Sequence, residues 1–80
     1  MVRIEIYEQE SWGRVRYRVG RIDGHFIFDR HFTDFDTEED AVSCTLGEIR
    51  RKELGPYKIT IYRMDRQTNG RRKLFRVIAG

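Results

Sequence analysis

Arg14, Arg16 and Arg18 recur at every second position, and Arg21 follows them. In an extended chain that spacing puts the first three side chains on one face. A guanidinium is a planar fork that matches phosphate oxygens two at a time. A row of them on an open sheet face is therefore a surface that could track a nucleic-acid backbone. The same row also reads as a solvated face whose cations pair across the strands with acids such as Glu5 or Asp29. A second basic cluster, Arg71, Arg72 and Lys73, follows Asn69-Gly70, a hairpin-turn dipeptide. It could rest on phosphates or simply keep an edge strand soluble. The opposite sign is concentrated in Asp34, Asp36, Glu38, Glu39 and Asp40. These carboxylates could dock a basic partner, or serve the start of a helix, whose free N–H groups favour negative charge.

Other chemistry finds less support. His25, His31 and Cys44 are the soft metal ligands, and they lack paired zinc spacing. The Asp34-x-Asp36-x-Glu38 spacing imitates a calcium loop but lacks its glycine and distal glutamate. Ser11, Ser43 and Cys44 do not sit in a strand-turn-helix elbow, and no glycine-rich phosphate loop is present. No catalytic residue, metal ligand, cofactor or small-molecule substrate is expected. The chain reads as a binding module.

Charge distribution sharpens this. The 80 residues carry a net charge of only +3. Residues 50–80 hold ten Lys or Arg against Glu53 and Asp65, a surplus of eight, which leaves residues 1–49 five negative. The single Cys44 forms no internal disulfide and suits a reducing compartment. Without an apolar signal core or membrane-length run, a cytoplasmic location is expected.

The elements that would position these groups follow from periodicity. One domain is expected over residues 1–80, with enough aromatic residues for a core. Val2, Ile4 and Ile6 alternate with Arg3, Glu5 and Tyr7, which predicts a strand, followed by a polar turn at 8–11. Val15, Tyr17 and Val19 alternate with the arginine row in a second strand. Asp23-Gly24 predicts a hairpin, with Phe26 and Phe28 on its return strand and a bulge near 30–33. A helix is predicted over about residues 37–54. Asp36 or Thr37 caps it, Phe35 staples it, and Val42, Leu46 and Ile49 form its buried stripe beside Thr45. That stripe is expected to meet Ile4, Val15, Tyr17 and Phe26. Gly47 would allow a close backbone approach, Gly55 would take the left-handed position after the helix, and Pro56 would stop it. Strands at 57–64 and 71–79 complete the order β-β-β-α-β-β: an α+β fold in which one helix packs on an antiparallel sheet of about five strands. In the last hairpin an odd loop would set Ile59 and Ile61 beside Phe75 and Val77, and an even loop beside Leu74, Arg76 and Ile78. The odd loop is preferred because it keeps Arg76 out of the core.

From Trp12 to Ala41 the order is an aromatic, an alternating Arg strand, an Asp-Gly turn, a Phe-rich strand and Phe35-Asp36-Thr37-Glu38-Glu39-Asp40-Ala41. This resembles the arm-type DNA-binding domain of phage and mobile-element tyrosine recombinases, over roughly residues 12–54. The resemblance implies a three-stranded sheet backed by a helix, with Arg14, Arg16 and Arg18 facing DNA. The strand before Trp12, the hairpin after Pro56 and the lack of a recombinase catalytic domain depart from that pattern. In size and charge segregation the whole chain also looks like small phage-encoded inhibitors such as anti-CRISPR proteins. Two functions are thus expected as alternatives. One is nucleic-acid binding through the Arg face and Arg71, Arg72 and Lys73. The other is inhibition of a host protein or ribonucleoprotein complex through the charged surfaces.

Overall fold

The computed structural model describes residues 1–21, 34–65 and 71–80. Its elements are β1 (Val2–Ser11), β2 (Arg14–Arg21), β3 (Asp34–Phe35), α1 (Glu38–Arg51), β4 (Tyr57–Asp65) and β5 (Arg71–Ala79). They form a five-stranded sheet in the order β3-β2-β1-β4-β5, with α1 against one face. The α+β class is that expected, but the described third strand is Asp34–Phe35, where a helix staple was expected, and the sheet is not antiparallel throughout. The Asp23-Gly24 turn, Phe26, Phe28, the bulge at 30–33, His25, His31 and Asn69-Gly70 lie outside the described residues.

The sheet is mixed: β1 pairs antiparallel with β2 but parallel with β4, Ile4 opposite Ile59 and Ile6 opposite Ile61. A parallel neighbour requires a long crossover, and α1 lies within the chain that makes it. Because β1 and β4 are central, their alternate residues Ile4, Ile6, Ile59 and Ile61 are wholly buried. Val2, Val19, Ala41 and Ile49 complete that core. Removing each Val or Ile side chain from water contributes about 1.5–3 kcal/mol. Of the residues expected at the helix interface, Tyr17 is half-buried and packs against this core, whereas Val15 is half-buried outside it.

Several local readings are corrected. Strand β1 does not turn at 8–11: each residue from Glu8 to Ser11 pairs across β2. The turn is Trp12-Gly13, with φ of 54° and 76°. Positive φ at both central positions is the geometry that fits the twist of a two-residue hairpin. Thr37 caps α1 as expected, its hydroxyl accepting from the Asp40 N–H at 3.1 Å. The helix then ends earlier, at Arg51, with Lys52 as C-cap. The left-handed residue is Glu53, φ 55°, rather than Gly55. It is held because the Leu54 N–H reaches back to the Ile49 carbonyl and the Glu53 N–H to that of Arg50. The buried stripe is Ala41, Thr45 and Ile49, with Val42 and Leu46 flanking it half-buried. Small Ala41 faces the sheet, while Gly47 has no neighbour within 4 Å of where a Cβ would stand.

The last hairpin holds both registers in turn: from Asp65 opposite Arg71 to Tyr62 opposite Leu74 it follows the preferred one, and beyond that it takes the other. Ile59 faces Ile78 and Ile61 faces Arg76, after which Tyr62 pairs with Leu74 and Phe75 is the extra residue of a bulge. Arg76 is tolerated there because its guanidinium leaves the core and reaches Glu38 at 3.4 Å.

Candidate functional site

Alternation along the strands gives the sheet a second face, turned away from α1. At its centre Tyr7 of β1 lies beside Tyr62 of β4, because those residues are in parallel register. Their ring centroids are 6.1 Å apart and the planes 22° from parallel. The Arg72 guanidinium sits 4.3 Å from the Tyr7 ring centroid, a cation–π contact that also delivers a positive charge to this face. The Tyr7 hydroxyl donates to the Glu5 carboxylate. Partial burial, and then the bond and charge of Glu5, push the Tyr7 phenol up to about 12. The ring is therefore neutral throughout the physiological range.

Arg14, Arg16 and Arg18 stand on this face beside Ser11, Gln9 and Tyr7 respectively. Each has an acid. Arg18 is in register with Asp34 and donates to its two carboxylate oxygens at 3.0 and 3.4 Å. That pairing raises the Arg18 pKa further. Arg14 and Arg16 share Asp36 at 3.8 and 3.7 Å. Cross-strand pairing is thus realised through Asp34 and Asp36, while Asp29 lies outside the described residues. These pairs are exposed, so each contributes little to stability and its guanidinium remains open to exchange. Arg21 ends β2 opposite Ile4. Arg3 and Lys58 are opposite one another on the open face and make no ion pair among the described residues.

The second basic cluster divides. Arg72 joins the open face, opposite Met64, whereas Arg71 and Lys73 have the other parity on β5. A shallow cleft of about 260 Å³ lies where Arg72 and Met64 meet Glu8, Gln9, Glu10 and Ser11. The acidic run is largely engaged within the molecule. Besides Asp34 and Asp36, the Glu38 side chain is only 13% exposed and is clasped by Arg63 at 3.5 Å and Arg76 at 3.4 Å. Arg63 also lies 3.4 Å from the Phe75 ring centroid. Nearby, Glu8 accepts from the Tyr17 hydroxyl, and burial followed by the Glu8 charge raises that phenol. Glu39 and Asp40 remain exposed at the helix start.

A larger groove of about 490 Å³ runs past the C-terminal end of α1, where Leu46, Ile49, Leu54 and Pro56 supply apolar walls. Its polar side chains, Arg50, Glu53 and Tyr57, do not form a nucleophile-base arrangement. Cys44 is exposed on α1. Among the described residues no group of three His, Cys, Asp or Glu is gathered to hold a metal ion, and no helix is long and apolar enough to cross a membrane.

Residue type alone does not mark Tyr7 and Tyr62 as functional, and Trp12 enters only as the first residue of the resemblance. Tyr7 and Tyr62 did carry a signal, since each has the polar parity of its strand, opposite Ile6 and Ile61. What was hidden is that β1 and β4 are neighbours. Fold and site together define a small α+β domain with one helix-covered sheet face and one face bearing arginines around a tyrosine pair. No family model, curated protein or solved structure matches the chain.

Proposed function

We propose that this domain is a non-enzymatic nucleic-acid-binding module of the cytoplasm, contacting phosphates through its open sheet face. One observation carries the reading. Among the described residues, Arg14, Arg16, Arg18, Arg72, Arg3 and Lys58 share a single face against only Glu5, Asp34 and Asp36. A phosphate chain can take over from the two aspartates at little expense, because exposed pairs of this kind hold by roughly 0–1 kcal/mol. Arg71 and Lys73 extend the positive field beyond the face. Binding to oligonucleotides across a salt series tests this: log affinity should fall linearly with log salt. Arg16→Ala and Arg18→Ala should each shallow the slope by about one unit. No measurable affinity at ~50 mM salt, where screening is weak, would remove the reading.

A second reading, inhibition of a host protein complex, is favoured by the outer strand. Leu74, Phe75 and Val77 are 56%, 44% and 47% exposed on β5, the kind of edge that another chain can extend. It requires capture of one protein complex that charge reversal at Arg71, Arg72 and Lys73 abolishes, with nucleic acid ignored. The acidic surface of the same reading is weakened by the internal engagement of Asp34, Asp36 and Glu38.

A further inference from the structure

Three aromatic side chains mark the course a strand would take. Tyr7 and Tyr62 sit side by side at the centre of the open face. The Arg72 guanidinium already lies over the Tyr7 ring. A guanidinium is flat and delocalised, so the face of Tyr7 that it covers is one on which a planar group can rest once Arg72 turns to a phosphate. Five residues further along β1, or roughly 17 Å at the rise of a strand, the hairpin tip carries Trp12. Its exposure is 99%, the highest of the large apolar side chains among the described residues. Its backbone is in the left-handed region, φ 54°, where a bulky residue is disfavoured and Asn would fit the same turn better. An indole at this position contributes nothing to the fold that Asn would not, and an observed backbone outlier of this kind points toward function. Between the tyrosines and Trp12 run Gln9 and Ser11, flanked by Arg16 and Arg14.

A duplex keeps its bases stacked on one another and offers this surface phosphates, sugars and base edges but no ring faces. An unpaired strand offers ring faces as well. Aromatic platforms along a positively charged track are what sequence-tolerant single-strand binding requires. Resting on the nucleic-acid reading above, we infer that the preferred ligand is single-stranded, with bases stacked on Tyr7 and Tyr62 and the strand led past Arg16 and Arg14 toward Trp12.

The test is fluorescence anisotropy with a short single strand, as DNA and as RNA, and the duplex of the same sequence. The single strand is expected to bind at least tenfold tighter than the duplex. Tyr62→Ala and Trp12→Asn should each weaken single-strand binding by roughly 5- to 100-fold and leave duplex binding unchanged, the range expected for one lost stacked base. Tyr7→Phe, which keeps the ring and loses only the bond to Glu5, should retain affinity and guards against misreading a folding defect. Equal or tighter duplex binding, with Tyr62→Ala and Trp12→Asn inert while Arg16→Ala and Arg18→Ala weaken it, overturns the single-strand inference and leaves the phosphate reading standing. Absence of binding to every probe at low salt removes both.

Discussion

The two faces of the sheet are made from the same strands, yet the chemistry changes completely from one residue to the next. Ile4, Ile6, Ile59 and Ile61 are fully buried under α1, whereas Glu5, Tyr7, Thr60 and Tyr62 remain partly open. Among the described residues, charge on the covered face keeps to its margins, as where Arg63 and Arg76 converge on Glu38. On the open face charge is the rule and aromatic rings are set among it. Backbone pairing is common to both, so it stabilises the strands without distinguishing the sides. Stability should therefore reside on one face and recognition on the other.

Substitutions can break that division. The largest effect is expected from Ile6→Ala, which empties a fully buried site and should cost about 2–5 kcal/mol in chemical denaturation. Thr60→Ala, on the opposite parity of the adjacent strand, should cost well under half of that. Equal losses would mean that the open face is also a core. Glu38→Gln comes next, at about 1–2 kcal/mol, because it removes the charge that Arg63 and Arg76 share at a mostly covered site. A change below measurement error would reduce that cluster to a solvated contact. Thr45→Val should act in the opposite direction. The Thr45 hydroxyl is buried without a hydrogen-bond partner among the described residues, so its removal should stabilise by about 1 kcal/mol. Destabilisation would reveal a bond to that hydroxyl.

The smallest effect concerns the open face and alkaline pH. Tyr7 keeps its proton in the folded state up to about 12, above its ordinary value of 10.0. The unfolded chain therefore releases that proton first. Stability is full below the unfolded value and declines as pH rises from there toward about 12. Ultraviolet titration should show one phenol ionising later than in the denatured protein. Tyr7→Phe should flatten the alkaline slope of stability, and an unchanged slope would detach it from Tyr7.

Local patterns were legible in the residues and distant pairings were not. The alternation of Val2, Ile4 and Ile6, the face given to Arg14, Arg16 and Arg18, and the Thr37 cap each depend on a few neighbouring residues. The parallel β1–β4 pairing does not, and the Tyr7–Tyr62 contact follows from it. Polar Glu8–Ser11 looks like a turn because it lacks an apolar parity, but its backbone is paired by β2 regardless of side chains. Trp12-Gly13 was missed because tryptophan is among the residues least suited to that turn. The Phe75 bulge is equally silent, since it exchanges parity halfway along β5 and so lets both alternative registers hold in part.

The central position of β1 also governs the order of assembly. Its antiparallel partner β2 follows after two residues, Trp12 and Gly13, but its parallel partner β4 lies beyond the whole of α1. During synthesis the β1–β2 hairpin emerges with Ile4 and Ile6 uncovered and one edge of β1 unpaired. It must remain in that condition until the helix and β4 have been made. Pairings so distant along the chain close slowly, and an exposed apolar edge is open to wrong partners in the interval. The charges alternating through both strands, Arg3, Glu5, Glu8, Arg14, Arg16 and Arg18, then keep nascent hairpins from pairing with one another.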